Sequence, residues 1–301
     1  MERVLLPTLM SVLKGGGKLL VENTFFGERD KVTISINRLK AFEPKEGYYL
    51  AFSGGKDSQC IYHLAVEAGV KFDAHYNVTG IDYPELIYFM RRNYPDVIRD
   101  MYEKSMFKLM EERGLPTRLK RFCCEVLKER GGEGRICVTG VRWAESTKRK
   151  TRRPFEIVTT KRKDKKLFDD NDEDRRLFEN CMQKGKRVVN PIIDWSDDDV
   201  WEYINSRNIE YCKLYDEGYK RLGCIGCPMA SNKREELKKY PKFAENYKRA
   251  IGRWLPGYLE RRKKKGKTPC FTSVDEWYKW WIEEKKDIDY SDSFLDDDYD
   301  V

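Results

Sequence analysis

The chain has 301 residues, 40% hydrophobic and 13% aromatic, enough for one large core or two modest ones. Charged residues reach 37% and the net charge is +8. With so many Trp, Tyr and Phe beside that charge, disorder is excluded in favour of a packed body with a very polar surface.

Residues 1–45 read as an N-terminal extension. The apolar stretch 4–13 imitates a signal-peptide core, but Pro7 interrupts it, Glu2 offsets Arg3 and no small-residue cleavage site follows. Gly15-Gly16-Gly17 then breaks the segment, and residues 31–36 alternate in the manner of a strand. From 46 to 232 strand and helix alternate. Residues 48–52 form a short buried-strand pattern, and a helix follows from Ser58 to Ala68 with Ile61, Leu64 and Ala65 on one face and Gly69 as its C-cap. A second strand covers 72–78, Pro84 opens a helix over 85–92, and 135–139 forms another strand before Gly140. This alternation predicts an α/β fold, a Rossmann-like parallel sheet with helices on both faces, whose ligands bind beyond the carboxyl ends of the strands. Ser196 and Asp199 form a capping-box pattern ahead of residues 200–204. Residues 233–301 read as a helical, basic C-terminal region, with Trp277, Trp280 and Trp281 on a helix that packs back on the body and a mobile acidic tail.

No stretch approaches a membrane span. The nine cysteines lack the spacing of a disulfide framework, so the expectation is a soluble protein of a reducing cytoplasm. His63 and His75 are the only histidines, which argues against histidine-rich metal sites and Ser-His-Asp catalysis. Basic residues dominate 148–166, from Lys148, Arg149 and Lys150 through Arg152 and Arg153 to Lys161, Arg162, Lys163, Lys165 and Lys166. That run is either a solvated loop or a surface for polyanions.

Chemistry concentrates in two patterns. The first is Ser53-Gly54-Gly55-Lys56-Asp57-Ser58, between a predicted strand and a predicted helix. Its two glycines let successive N–H groups turn inward on a phosphate, and the helix adds its positive end. Lys56 can reach a phosphate oxygen, Ser53 and Ser58 can donate, and Asp57 can hold Mg²⁺; the spacing is not that of a Walker A loop. The second is Cys123-Cys124 with Cys224-Ile-Gly-Cys227. Structural zinc sites space both halves as Cys-x₂₋₄-Cys, and adjacent thiolates suit that geometry poorly. A cluster of several irons lets neighbouring sulfurs reach different metals; zinc, unmetallated thiols and a redox pair are the alternatives. Cys60 and Cys137, in predicted helix and strand, read as core residues.

The phosphate loop resembles the PP-loop of the adenine-nucleotide alpha-hydrolase superfamily, and residues 47–230 resemble the phosphoadenosine phosphosulfate (PAPS) reductase family more closely. Besides the loop, the resemblance rests on Thr79-Gly80-Ile81-Asp82-Tyr83-Pro84-Glu85, Gly140-Val141-Arg142-Trp143-Ala144-Glu145-Ser146 and Asn190-Pro191-Ile192-Ile193-Asp194-Trp195. It implies adenine and ribose near Phe52, Thr79, Gly80 and Gly140, phosphates on Gly54 to Ser58, and Arg142 as their charge partner. The Cys-Cys…Cys-x-x-Cys pattern resembles the [4Fe-4S] ligands of the adenylylsulfate-reducing branch and of the ATP pyrophosphatases of DNA phosphorothioate modification.

The leading expectation is an ATP pyrophosphatase that adenylylates a substrate, with DNA or RNA as an acceptor and a sulfur-donor protein as a partner. Its cofactors would be Mg²⁺, ATP and a [4Fe-4S] cluster. The intact loop favours this, since it can hold the departing phosphates. The alternatives are an adenylylsulfate or PAPS reductase, the ATP sulfurylase small-subunit class, and a non-enzymatic binding module with a structural cluster. The reductase needs a nucleophilic cysteine, which in that family lies in a Glu-Cys-Gly-x-His segment. Here Cys270 follows Cys227 without such a context.

Overall fold

The computed structural model describes residues 20–24, 27–129, 131–158, 166–180 and 185–283. The expectations for residues 1–19, for Lys161, Arg162, Lys163 and Lys165, and for the acidic tail lie outside the described residues. An antiparallel hairpin of β1 (Val21–Thr24) and β2 (Gly27–Asp30) leads directly into helix α1 (Lys31–Ala41).

That helix corrects the strand expected at 31–36. Asp30 caps it, its side chain accepting from the Val32 amide at 2.9 Å. The residues it buries, Lys31, Val32, Ser35, Arg38 and Leu39, recur at the helical period. Three of these are polar, so a hydropathy pattern counts them on the wrong side. They are buried because each finds a partner in segment 191–199. Ser35 Oγ donates to the Pro191 carbonyl at 2.9 Å. Arg38 donates to the same carbonyl and to Asp194, both at 2.8 Å. Lys31 Nζ meets Asp199 at 2.8 Å.

The body follows as β3 (Tyr48–Ala51), α2 (Lys56–Ala68), β4 (Phe72–Val78), α3 (Pro84–Asn93), β5 (Ile98–Met101) and α4 (Met106–Arg113). A short turn α5 (Phe122–Cys124) runs on as a π-turn (Glu125–Glu129) into β6 (Cys137–Val138). Next come β7 (Phe155–Val158), β8 (Lys166–Phe168), α6 (Asp172–Asn180), β9 (Lys186–Val189) and α7 (Asp197–Ser206). The chain then becomes helical, with α8 (Lys233–Lys239), α9 (Pro241–Lys264) and α10 (Val274–Glu283). Most boundaries match the sequence expectation: β4 coincides with it, Gly69 caps α2 in the left-handed region at φ 69° and Ser196 with Asp199 forms the capping box of α7. The strand expected over 135–139 is shorter, and α2 begins at Lys56, inside the phosphate loop.

The seven-stranded sheet has the order β5-β4-β3-β6-β9-β7-β8. The first five strands are parallel, and β7 runs antiparallel to both of its neighbours. The fold is thus α/β, a Rossmann-like sheet with helices on both faces and a helical C-terminal region. Alternation along the strands separates the faces: Tyr48, Leu50, Val138 and Val189 join the main core, while Tyr49, Cys137 and Val188 form a small cluster opposite. Cys60 and Cys137 are buried, as expected. So are Trp277, Trp280 and Trp281, which bring α10 onto α9. Among the described residues no helix is long and apolar enough to cross a membrane.

All four motif segments leave the carboxyl ends of the adjacent strands β4, β3, β6 and β9, so the topology gathers them along one edge of the sheet. The last of them is braced by α1 through the Arg38–Asp194 pair, whose side chains are 3% and 7% exposed. Breaking a buried pair leaves an uncompensated charge. Arg38→Ala is therefore expected to lower the unfolding free energy by about 3 kcal/mol in urea denaturation; a loss below about 0.5 kcal/mol, the scale of ordinary surface substitutions, would show that the brace is not structural.

Candidate active site

β3 delivers the chain into Ser53 to Ser58, and the loop closes on itself. The Ser53 amide donates to Ser58 Oγ at 3.1 Å, and Ser58 Oγ donates to the Gly55 carbonyl at 2.8 Å. Gly54 has φ 73°, and a Cβ there would stand 2.6 Å from the Met90 side chain of α3. Only glycine takes both the backbone conformation and the contact without strain. Gly140, at the end of β6, comes so close that a Cβ would lie 3.0 Å from the Asp57 carbonyl oxygen. Phe52 turns its ring into the core against Tyr94, centroids 4.8 Å apart. Thr79 is buried and Gly80, φ 75°, faces open space.

The charged residues form one network. Arg142, 1% exposed along its side chain, donates through Nε to Asp57 at 2.7 Å and through Nη2 to Asp197 at 2.8 Å. Its Nη1 donates to the Trp195 carbonyl at 3.2 Å. Lys56 Nζ lies 2.7 Å from the same Asp197 oxygen and 3.3 Å from Asp57. Burial opposes ionisation of Asp197, but the Lys56 hydrogen bond and the charges of Lys56 and Arg142 outweigh it and hold its carboxyl below the usual range. Beside the network, burial and the like charges of Arg221, Arg152 and Arg142 push Arg149 down to about 10, although Glu145 pairs with it. Two cations and two carboxylates thus neutralise each other where phosphates and a divalent ion would do the same.

The cysteine pairs meet on the far side of the Thr79–Asp82 loop. Asp82 is buried and accepts from Tyr76 OH at 2.5 Å and Thr79 Oγ1 at 2.6 Å. Its other oxygen lies 3.6 Å from Cys224 Sγ, and Asp82 and Cys224 form an isolated antiparallel bridge. The turn Cys224 to Cys227 is held by three bonds: the Ile225 amide to the Ile81 carbonyl at 2.7 Å, the Gly226 amide to Glu236 at 2.9 Å, and Tyr247 OH to the Ile225 carbonyl at 2.8 Å. Cys123 lies within electrostatic reach of Cys124, Cys224 and Cys227. The neighbouring Cys123, then Arg121 and Lys128, pull the Cys124 thiol down, and Cys124 in turn pushes Cys123 up. Lys128 is exposed, and the charges of Cys224 and Asp82 hold its ammonium up. Among the described residues, no three His, Cys, Asp or Glu side chains are arranged as a ready-made site for a single metal ion.

The structure therefore brings Lys56, Asp57 and Arg142 into direct contact, sets Gly54, Gly55, Gly140 and the two serines around them, and brings Cys123, Cys124, Cys224 and Cys227 into one neighbourhood. Sequence reasoning missed Asp197, which sits between the capping residues of α7 in an Asp-Asp-Asp run that offered no means of choosing one member. It also missed Tyr215, whose hydroxyl accepts from the Lys56 amide at 2.9 Å, and Glu236, which anchors the cysteine turn from a distant helix. Neither carried a local signal.

A parallel sheet with this loop between its central strand and the following helix is the architecture of a PP-loop nucleotide-binding protein. The profile of the phosphoadenosine phosphosulfate reductase domain matches residues 47–230, and the chain belongs to that family, within the PP-loop superfamily. An uncharacterized protein of Methanocaldococcus jannaschii is 27% identical over 222 residues, 69% of this chain and 42% of that protein; a second from the same organism is 25% identical over 68% of this chain and 46% of its own length. The chain thus spans less than half of either relative. The adenosine 5'-phosphosulfate reductase of Oceanobacillus iheyensis is 54% identical over 51 residues, 17% of this chain and 21% of that enzyme. Among solved structures, the PAPS reductase of Candida auris in a phosphate complex aligns with TM-score 0.43 at 16% identity, covering 63% of this chain and 87% of that one. The Candida glabrata FMN adenylyltransferase bound to ATP aligns with TM-score 0.41 at 13% identity, covering 64% and 60%.

Asp197 satisfies Lys56 and Arg142 with an acceptor that a phosphate oxygen would replace, and its side chain is 65% exposed, so it can swing away. Asp197→Asn is expected to tighten inorganic pyrophosphate binding by up to about tenfold, ~1.4 kcal/mol, in calorimetric titration. Weaker binding would mean that Asp197 serves the ligand, as a cation holder, instead of competing with it.

Proposed function

We propose that the protein is an ATP pyrophosphatase of the PAPS reductase family that adenylylates an acceptor and prepares it for sulfur transfer. An acceptor oxygen attacks the α-phosphorus of ATP, the bond to the β-phosphate oxygen breaks, and pyrophosphate leaves. Sulfur at the oxidation level of sulfide, brought by a donor protein, then displaces AMP. The observation that carries this reading is the contact of Lys56, Asp57 and Arg142 around an intact Ser-Gly-Gly-Lys-Asp-Ser loop. Lys56 and Arg142 offer donors to the leaving pyrophosphate, and Asp57 offers a carboxylate to Mg²⁺. The loop amides and the start of α2 add fixed partial positive charge. Arg149, Arg152 and Arg221 beside the loop support a polyanionic acceptor, and among such acceptors DNA or RNA is the one proposed.

Cys123, Cys124, Cys224 and Cys227 are proposed to hold a [4Fe-4S] cluster. The donor set fits it: four thiols in one neighbourhood, with Arg121 and Lys128 to offset thiolate charge. Such a cluster supplies one-electron redox chemistry with a potential set by its surroundings. The chain's own contribution is Glu236, Tyr247 and Ile81, which fix the Cys224–Cys227 turn, and Asp82, which ties it to the Thr79 loop. The cysteine pattern supports DNA phosphorothioation as the setting, by resemblance alone.

Reduction of adenylylsulfate or PAPS is the second reading, favoured by the local matches to adenosine 5'-phosphosulfate reductases. The described cysteines outside the two pairs lend it no support. Cys60, Cys137 and Cys212 are buried, and burial pushes each of their thiols up. Cys270 is half-buried beside Tyr258.

The deciding assay is pyrophosphate release from Mg²⁺–ATP by anaerobically purified protein, with and without DNA or RNA. Release is expected from the wild type and should fall at least a hundredfold, about 2.7 kcal/mol of lost stabilisation, in Lys56→Ala. Sulfite from adenylylsulfate or PAPS, with no pyrophosphate, would replace this reading by the reductase. Independently, Cys124→Ser and Cys224→Ser are expected to lose bound iron, acid-labile sulfide and visible absorbance; full iron and sulfide in both would remove these residues as ligands.

A further inference from the structure

A cavity of about 350 Å³ lies between β4, β5 and α3, within the size range of small-ligand sites. It borders both centres described above. Met90 forms one wall and is the side chain packed on Gly54 of the phosphate loop, while Asp82 forms another and touches Cys224. Val78, Pro84 and Ile87 add aliphatic wall, and Gly80, where the family resemblance sets the adenine and ribose of ATP, lines it too; the rest is aromatic and cationic. Tyr76 lines it, and Tyr88, 69% exposed on α3, lines it from the solvent side. Arg91 and Arg99 line it from α3 and from the edge strand β5, and both are exposed.

Asp82 in the lining, and the carboxylates near these arginines in sequence, have hydrogen-bond partners of their own. Asp82 accepts from Tyr76 and Thr79, Glu85 from Tyr240, Asp96 from Tyr62, and Asp100 from Tyr49 and shares a hydrogen bond with His75. Among the described residues neither Arg91 nor Arg99 forms an ion pair. Guanidinium groups at the mouth of an aromatic-walled slot match an aromatic base that carries a phosphate. The base can stack, and the planar forks take phosphate oxygens in pairs.

We infer that this cavity binds a nucleotide unit, its base in the slot against Tyr88 and Tyr76 and its phosphate on Arg91 and Arg99, apart from the nucleotide held by the phosphate loop. The inference rests on the proposed nucleic-acid acceptor and names the surface that receives it. A slot for one base takes a single strand, or a nucleotide turned out of a duplex. Its walls, Met90 on Gly54 and Asp82 on Cys224, bring that nucleotide up to both centres.

The test measures fluorescence anisotropy of a labelled single-stranded oligonucleotide across a salt series, on the full-length, cluster-loaded protein, with labelled AMP as the second probe. The Arg91→Ala/Arg99→Ala double variant is expected to weaken strand binding at least tenfold. It should also flatten the slope of log K against log salt by about 0.7, the release of counterions from the one phosphate these arginines hold. Tyr88→Ala should weaken binding about tenfold at unchanged slope. Pyrophosphate release without nucleic acid should be unchanged in both variants. Binding of AMP and not of the strand, lost in the same variants, supports the site with a free nucleotide as its occupant. Strand binding indifferent to all three substitutions overturns the inference while leaving the ATP reading intact. Loss of ATP turnover together with strand binding also overturns it, because the cavity would then be the adenine end of the ATP site. Wild type that releases no pyrophosphate, yet binds the strand through these residues, would sink the ATP reading and leave the inference standing.

Discussion

Arg142 is the residue on which the arrangement of the site depends. Its guanidinium is almost wholly out of solvent, which is costly unless every donor is met. Three groups meet it: Asp57 from the phosphate loop, Asp197 from the start of α7, and the Trp195 carbonyl from the segment between β9 and α7. Asp57, Arg142 and the Trp195–Asp197 segment are far apart in sequence, so satisfying one side chain fixes the distances between three loops. The constraint extends outward, because Trp195 donates through its indole to Ser35 at 3.1 Å and Asp194 pairs with Arg38. The N-terminal helix is thereby tied to the segment that holds Arg142.

The same economy governs the cysteine neighbourhood. Glu236 accepts from both Tyr83 OH and the Gly226 amide, and Gly226 itself, φ 72°, is crowded by Tyr247, Leu237 and Trp281. The C-terminal helices are therefore part of the site's scaffold. Their aromatic faces close over the Cys224–Cys227 turn, while Asp82 joins that turn to the loop after β4. A change at the cysteines has a short, hydrogen-bonded route to Asp82, Thr79 and Tyr76.

Electrostatics holds the site together. Lys56 and Arg142 are desolvated, and their charges are met by Asp57 and Asp197 through charge-assisted bonds. Beside it Arg149 pairs with Glu145 and Arg152 with Glu156, and Arg221 adds a further positive charge that bears on Arg149.

The sequence by itself determined the elements whose signals are local: the alternation of β3, α2 and β4, Gly69 as a C-cap, Pro84 at a helix start, the capping box at Ser196, and the glycines of the phosphate loop. It also singled out Lys56, Asp57, Arg142 and the two cysteine pairs, because those residue types at those spacings have few other uses. Only the tertiary structure decided that residues 31–41 are a helix, since Lys31, Ser35 and Arg38 are buried by partners some 150 residues away, and hydropathy periodicity cannot register a polar core. Asp197, Tyr215 and Glu236 were decided in the same way. Asp197 meets Lys56 and Arg142, Tyr215 meets the Lys56 amide and Glu236 meets Tyr83, and the strand order that brings these partners within reach is written in no local stretch of the chain.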